Sequence, residues 1–179
     1  RTPAAMRVGE EGQGWEIAKY LLEFERGGNF LSGRIRAGLD RAKRAAAWAG
    51  VDGGPVSNDP NFRRRYAELG VRAETVAWTE LRILDAAAKG GRPGANSSYI
   101  KLLGAEMNKD ATELAMQAIG AAAHWGRFSI LPDATNLAPL GPSGPMNASD
   151  RYFDHRANSI MGGTNEVQHD VIAKRMLGL

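Results

Sequence analysis

Apolar residues recur along this chain at helical spacing. From about Gly14 or Trp15 toward Gly50, residues Ile17, Leu21, Phe24, Leu31, Ile35 and Leu39 share one broad face. Gly27-Gly28-Asn29 interrupts that face, each Gly costing about 1 kcal/mol relative to Ala. The apolar phase carries across, which predicts one helix rather than two. Val51 to Ser57 reads as a turn. Asn58-Asp59-Pro60 is a start signal, a side-chain cap followed by Pro in the first turn. Phe62, Tyr66, Leu69, Ala73, Val76, Ile83 and Ala87 then repeat at helical steps until Gly90-Gly91-Arg92-Pro93-Gly94 stops the pattern. Asn96, Ser97 or Ser98 is expected to cap a third helix. Its inner stripe is Ile100, Leu103, Met107, Ala111, Leu114 and Ala118, and it ends near Gly120 to Ala123. Residues 124–150 carry Pro132, Pro139, Pro142 and Pro145, too broken for a regular element. Such a long connection is either a functional loop or a surface excursion. The last helical segment starts near Asp150, bends at Gly162-Gly163 and resumes to Met176.

These elements predict an all-α fold, an up-down four-helix bundle with mostly antiparallel neighbours. The bundle takes residues 14–179, after a polar, Gly-rich lead-in linker at 1–13. The small residues Ala45 to Ala47, Ala86 to Ala88 and Ala121 to Ala123 suit close helix approach or subunit packing. At 179 residues the chain is long enough for one domain with a real core. It has no cysteine, hence no disulfide framework and no thiolate metal site. A net charge of +3 and few aromatics argue against nucleic acid as a partner. No apolar run of about 18 residues could span a bilayer, and no signal peptide is evident, so a cytoplasmic setting is expected.

Chemistry concentrates near the end, at Ser159-Ile160-Met161-Gly162-Gly163-Thr164-Asn165-Glu166-Val167-Gln168. Paired Gly opens backbone conformations closed to other residues, and Thr164 or Asn165 can cap the helix that follows. A helix N-terminus after such a turn presents unpaired N–H groups and the positive end of the dipole. That arrangement suits a phosphate, a carbonyl oxygen or a flavin; it also suits a plain elbow between two packed helices.

The run from Arg151 to Leu179 resembles the end of an acyl-CoA dehydrogenase. So does the beginning, Gly9-Glu10-Glu11-Gly12-Gln13-Gly14-Trp15 followed by Leu22-Glu23-Phe24-Glu25-Arg26. Gly53-Gly54-Pro55 with Asp59-Pro60, and Ser97-Ser98 with Lys101, sit where bacterial members carry similar residues. The resemblance covers essentially the whole chain and is similar to the branch containing the large subunit of pimeloyl-CoA dehydrogenase. Members are longer, with an N-terminal helical domain and a middle β-domain upstream. With Arg1-Thr2-Pro3 in place of an initiator Met, the chain is expected to be the C-terminal part of a longer protein.

The resemblance implies FAD-dependent α,β-dehydrogenation of an acyl-CoA thioester, as in fatty acid β-oxidation. A carboxylate removes the α-proton, donors polarise the thioester carbonyl, and FAD provides the redox chemistry. Many members place the base just before the Gly-Thr of the terminal motif. Here that position is Gly162, so the terminal motif cannot supply it. A second branch, including isovaleryl-CoA dehydrogenase, carries Glu on the first helix of this domain before an Arg, which Glu25-Arg26 matches. Glu25 is therefore the expected base, with Leu22 and Phe24 expected to desolvate it. Arg26 is expected to border the acyl-CoA pocket, or simply to pair with a helix carboxylate. The Gly162 N–H is expected to donate to the thioester carbonyl. Gly163, Thr164 and Glu166 look like flavin contacts. Gln117-Ala118-Ile119-Gly120 resembles the turn that meets the flavin's adenine end across the dimer, so Gln117 and Gly120 are further cofactor candidates. The usual Arg…Phe-Gly flavin motif is not clearly present; Arg44 with Gly53-Gly54-Pro55 is a loose substitute. The implied partners are an acyl-CoA substrate, an electron-transfer flavoprotein as acceptor, and a homodimer or homotetramer, a heterotetramer being open. Other functions also stay open: a non-catalytic subunit, a monooxygenase-like flavoprotein of the same fold, or a helical assembly module. His124, His155 and His169 lack metal-ligand spacing and read as surface or loop residues. Arg63-Arg64-Arg65 reads as a solvated helix face.

Overall fold

The structure is a computed structural model that describes residues 2–27, 31–48, 54–125 and 148–179. It contains α1 (Gly14–Gly27), α2 (Leu31–Ala47), α3 (Pro60–Ala88), α4 (Asn96–Ile119), α5 (Ala148–Arg156) and α6 (Asn165–Ile172). Short 3₁₀ turns at Val56–Asn58, Gly120–Trp125 and Ala157–Ser159 punctuate these helices, and a π-helical turn at Ala173–Leu177 extends α6. Among the described residues there is no strand, so the expected all-α class holds.

Side-chain pairs give the helix directions. Ser32 meets Glu80 and Arg36 meets Glu74, so α2 and α3 are antiparallel. Arg72 meets Asp110 and Arg65 meets Glu113, so α3 and α4 are antiparallel as well. Lys101 meets Ser159 and Lys109 meets Arg156, which runs the α5 segment against α4. The result is the expected up-down order. α4 sits at its centre, touching α1, α2, α3, α5 and α6.

Helix ends follow from local chemistry. Asp59 Oδ1 accepts from the Phe62 N–H at 2.9 Å with Pro60 in the first turn, as expected for α3. Gly90 and Gly91 close its far end, their N–H groups returning to the carbonyls of Ala87 and Ala86, a Schellman arrangement. The start of α4 differs from expectation. None of Asn96, Ser97 or Ser98 caps it; Ala95 holds that position, and the N–H of Ser98 returns to the Ala95 carbonyl instead. The helix expected from Gly14 toward Gly50 is described as α1 and α2; residues 28–30, where one helix or two would be decided, lie outside the described residues. In the first turn of α2, Ser32 donates its N–H to Glu80 Oε1 at 3.2 Å and its hydroxyl to Glu80 Oε2. A buried carboxylate on α3 thus satisfies a helix N-terminus, where negative charge is favoured.

The core joins Ile35 and Leu39 of α2, Phe62, Leu69, Val76 and Ile83 of α3, and Ile100, Met107 and Leu114 of α4. Ala45 and Ala46 are fully buried, whereas Ala86 to Ala88 are exposed and close no helix contact. The expected stripe on α1 is covered only in part: Ile17 is half-buried, whereas Leu21 and Phe24 are exposed. A Cβ on Gly38 would stand 3.1 Å from Ala111 Cβ, and one on Gly104 would collide with the Leu31 side chain. We expect Gly104→Ala to destabilise the fold by about 1–3 kcal/mol through overpacking, read as a lower denaturant midpoint at unchanged slope.

His155 departs from the surface assignment. It is half-buried, with its Nδ1 3.4 Å from Asp154 Oδ2. Burial holds its imidazole below the ordinary value, helped by the Arg151 and Arg41 charges; Asp154 and a backbone hydrogen bond at Arg151 pull the other way. A base lowered in the folded state makes the unfolded chain bind more protons as pH falls, so stability is lost as pH drops through about 6.5, the ordinary imidazole value. Unfolding midpoints measured between about pH 8 and pH 5.5 should fall in this protein and flatten in His155→Asn.

Candidate functional site

The elbow takes the form its glycines allow. Gly162 has φ +69° and Gly163 φ +93°, a region where L side chains are strained. A Cβ on Gly162 would meet nothing within 4 Å among the described residues. Thr164, rather than Asn165, caps α6: its side-chain oxygen accepts from the Val167 N–H at 3.3 Å. Glu166 follows in the first turn, fully exposed. Its own backbone N–H and the Thr164 hydroxyl hold its carboxylate below the usual range. Gly162, Gly163, Thr164 and Glu166 are therefore one cluster.

A groove of about 630 Å³ opens between α1 and α6. Trp15, Tyr20, Leu22 and Glu23 of α1 form one wall, and Val167 and Val171 of α6, with Arg175 beyond, form the other. Ser97 and Ser98 at the start of α4 also line it. The Ser98 hydroxyl is buried and has no hydrogen-bond partner among the described residues, a polar atom that a bound ligand could satisfy. Glu23 organises one side. It accepts from the Gly94 N–H at 2.7 Å and from Arg92, whose guanidinium lies 5.1 Å over the Tyr20 ring. Glu25 lies on the same helix one turn past Leu22, but is exposed, and Phe24 beside it is 38% exposed. Among the described residues Leu22 and Phe24 thus leave Glu25 exposed. The Arg26 side chain lies outside the described residues.

Gln117 and Gly120 do not join this cluster. They sit at the far end of α4, about 24 Å from Lys101 at 1.5 Å per residue. Gln117 Oε1 accepts from Arg65, and its Nε2 donates to Glu113 at 3.1 Å. The arginine run is therefore only partly a solvated face: Arg63 and Arg64 are exposed, but Arg65 holds α4. Gly120 has φ +62°, again with nothing within 4 Å of a Cβ. Two open, glycine-shaped surfaces thus stand at opposite ends of α4. Both leave room for a flat cofactor to approach backbone closely. The substitute flavin motif, Arg44 with Gly53-Gly54-Pro55, falls partly outside the described residues. Among the described residues no group of His, Cys, Asp and Glu could hold a metal ion, and no helix is long and apolar enough to cross a membrane.

A sequence model of the acyl-CoA dehydrogenase C-terminal domain matches residues 12–177. The chain belongs to the acyl-CoA dehydrogenase family. Acyl-CoA dehydrogenase IpdE1 of Mycobacterium tuberculosis is 32% identical over 192 residues, covering 100% of this chain and 42% of that protein. The ChsE4-ChsE5 complex from Mycobacterium tuberculosis contains a chain with TM-score 0.73 and 26% identity, matched over 99% of this chain and 44% of that one. PigA, solved as an FAD complex, has TM-score 0.76 at 22% identity over 99% of this chain and 42% of its own, a likeness of fold. The chain thus spans less than half the length of these relatives.

Sequence reasoning missed three acid-centred contacts: Glu80 at Ser32, Glu23 at Gly94 and Arg92, and Glu106 at Asn165. The signal for Glu80 was present, because it occupies an inner position of the α3 repeat between Val76 and Ile83. We expect Gly162→Ala to lower stability by about 1–2 kcal/mol through backbone strain alone, since its methyl group meets open space. Denaturant unfolding against wild type measures this.

Proposed function

We propose that this chain serves as the C-terminal domain of an FAD-dependent acyl-CoA dehydrogenase, within a protein that also has N-terminal helical and middle β-domains. One observation supports the reading: α1, the helix that bears Glu25, and α6, the helix that follows the Gly162-Gly163-Thr164 elbow, share one groove, lined by Leu22 and Glu23 on one side and Val167 and Val171 on the other. Neither Glu25 nor the elbow lines it; the reading puts both at its margin, a base and a carbonyl-polarising N–H being the pairing that α-proton removal from a thioester requires.

On this reading the acyl-CoA occupies the groove with its thioester at the elbow. The Gly162 N–H donates to the thioester carbonyl and stabilises the developing oxyanion. Glu25 takes the α-proton, with Arg26 bordering the pocket. The remaining domains and subunits supply the water exclusion that Glu25 lacks in this chain. FAD, when bound, supplies the hydride-accepting chemistry at the β-carbon. Gly163, Thr164 and Glu166 would hold its reactive end. Gln117 and Gly120, at the far end of α4, would meet the adenine end of a flavin held mainly by a neighbouring subunit, which requires a dimer or a dimer of dimers. An electron-transfer flavoprotein is the proposed acceptor and the cytoplasm the proposed compartment.

The test uses the full-length protein with its flavin. Acyl-CoAs of varied chain are added anaerobically to wild type and Glu25→Gln, and the flavin absorbance is followed. Wild type should bleach with at least one of them. Glu25→Gln should retain flavin and bleach about 10²–10⁴-fold more slowly, the usual range for losing a general base. Equal bleaching would put the base elsewhere; no bleaching with any acyl-CoA would overturn the reading.

A further inference from the structure

Lys101 is 8% exposed, an unusual position for a lysine. A buried ammonium is costly unless its donors are paired. Its Nζ donates to Asn165 Oδ1 at 3.0 Å and to the Ser159 carbonyl at 3.5 Å. Asn165 Nδ2 in turn donates to Glu106 Oε1 at 2.6 Å, and the same carboxylate oxygen accepts from Lys109 Nζ at 3.0 Å. Ser159 is the last residue before the elbow, and Asn165 is the first after its cap.

The elbow opens with a local closure, the Ile160 and Met161 N–H groups both donating to the Ala157 carbonyl at 2.9 Å. Ile160 is 66% exposed and Met161 62% exposed, so neither anchors the turn in the core. Gly162 and Gly163 bring no side chains and the most permissive backbone in the chain. Its two ends are nevertheless tied by one side chain to α4, the helix packed by all its neighbours.

We propose that Lys101, acting through Ser159 and Asn165, is a positioning residue that sets the orientation of the Gly162 backbone toward the substrate carbonyl. The catalytic part of this rests on the reading given under Proposed function; the clamp itself does not. Lys101 touches no reacting atom. It works by closing the span 160–164 at both ends, so that the N–H at Gly162 keeps one direction. A misplacement of about 1 Å at such a donor is enough to cost on the order of a hundredfold in rate.

Two variants test this in the FAD-loaded holoprotein. Lys101→Met removes the clamp and leaves buried acceptors behind. Asn165→Ala removes one anchor while Lys101 keeps its reach to the Ser159 carbonyl, and Ala is acceptable in the first turn of a helix. If Lys101→Met fails to fold, Asn165→Ala decides alone. The first measurement is amide hydrogen exchange. Residues 160–164 should exchange at least tenfold faster, while the amides of α3 and of mid-α4 keep wild-type protection. The second is exchange of the acyl-CoA α-proton with D₂O, which reports carbonyl polarisation and proton removal without net turnover. It should fall at least tenfold while acyl-CoA affinity and flavin content change less than threefold. Unchanged amide exchange at 160–164 overturns the clamp. Faster amide exchange with normal α-proton exchange overturns the positioning role. A wild type without α-proton exchange on any acyl-CoA overturns the positioning role by removing the reaction, while the amide data still decide the clamp.

Discussion

A helix that packs against most of its neighbours has to satisfy many of its polar groups inside the protein, and α4 is such a helix. Its neighbours come close because the contacts are small: Gly38 lies against Ala111, and Leu31 fills the space that a side chain at Gly104 would take. Close approach excludes water from Lys101, Asn108 and Thr112, all buried. Each polar group there must find a protein partner or cost free energy. Thr112 bonds back to the Asn108 and Lys109 carbonyls within its own helix, and Arg156 from the last segment donates to the Lys109 carbonyl at 2.8 Å. Lys101 reaches across to Ser159 and Asn165. The same constraint that builds the core therefore attaches the elbow to it.

Acidic side chains settle the helix starts in a related way. Asp59 caps α3 from its own chain position, whereas Glu80 serves the start of α2 and Glu23 serves Gly94 from other helices. Long-range caps of this kind fix where elements end and how they are oriented at once. Glu23 does more, because the contact that holds Gly94 also places Arg92 over Tyr20 and shapes one side of the groove between α1 and α6. Groove and bundle are thus consequences of the same few contacts.

Much of this was legible in the sequence, for identifiable reasons. The α3 repeat and its Asp59-Pro60 start, the Gly90-Gly91 stop and the Thr164 cap all depend on neighbours within a few residues, and all appear as read. The bundle class followed from helix lengths and turns. What was not legible depends on distant partners. The start of α4 has no side-chain cap. The face of α1 with Leu21 and Phe24 is apolar yet exposed, because periodicity reports that a helix has an apolar side, not what covers it. Lys101 could be recognised as part of a resemblance, but its burial and its link to Asn165 could not. Of the candidate site, the elbow cluster was readable because glycines and a cap lie side by side. That α1 and α6 share a groove depends on how distant elements pack, and no spacing encodes that.

Glycine at position 162 fits the geometry of this elbow. At φ +69° a side chain would be strained. On the proposed reading a base at Glu25 would stand instead on regular helical backbone, where a glutamate costs almost nothing in propensity. That reading separates two demands that would conflict in one residue: an elbow that turns sharply to aim an N–H, and a base on a stable support to meet a proton. Holding the turn would then fall in part to α4, from which Lys101 reaches Ser159 and Asn165.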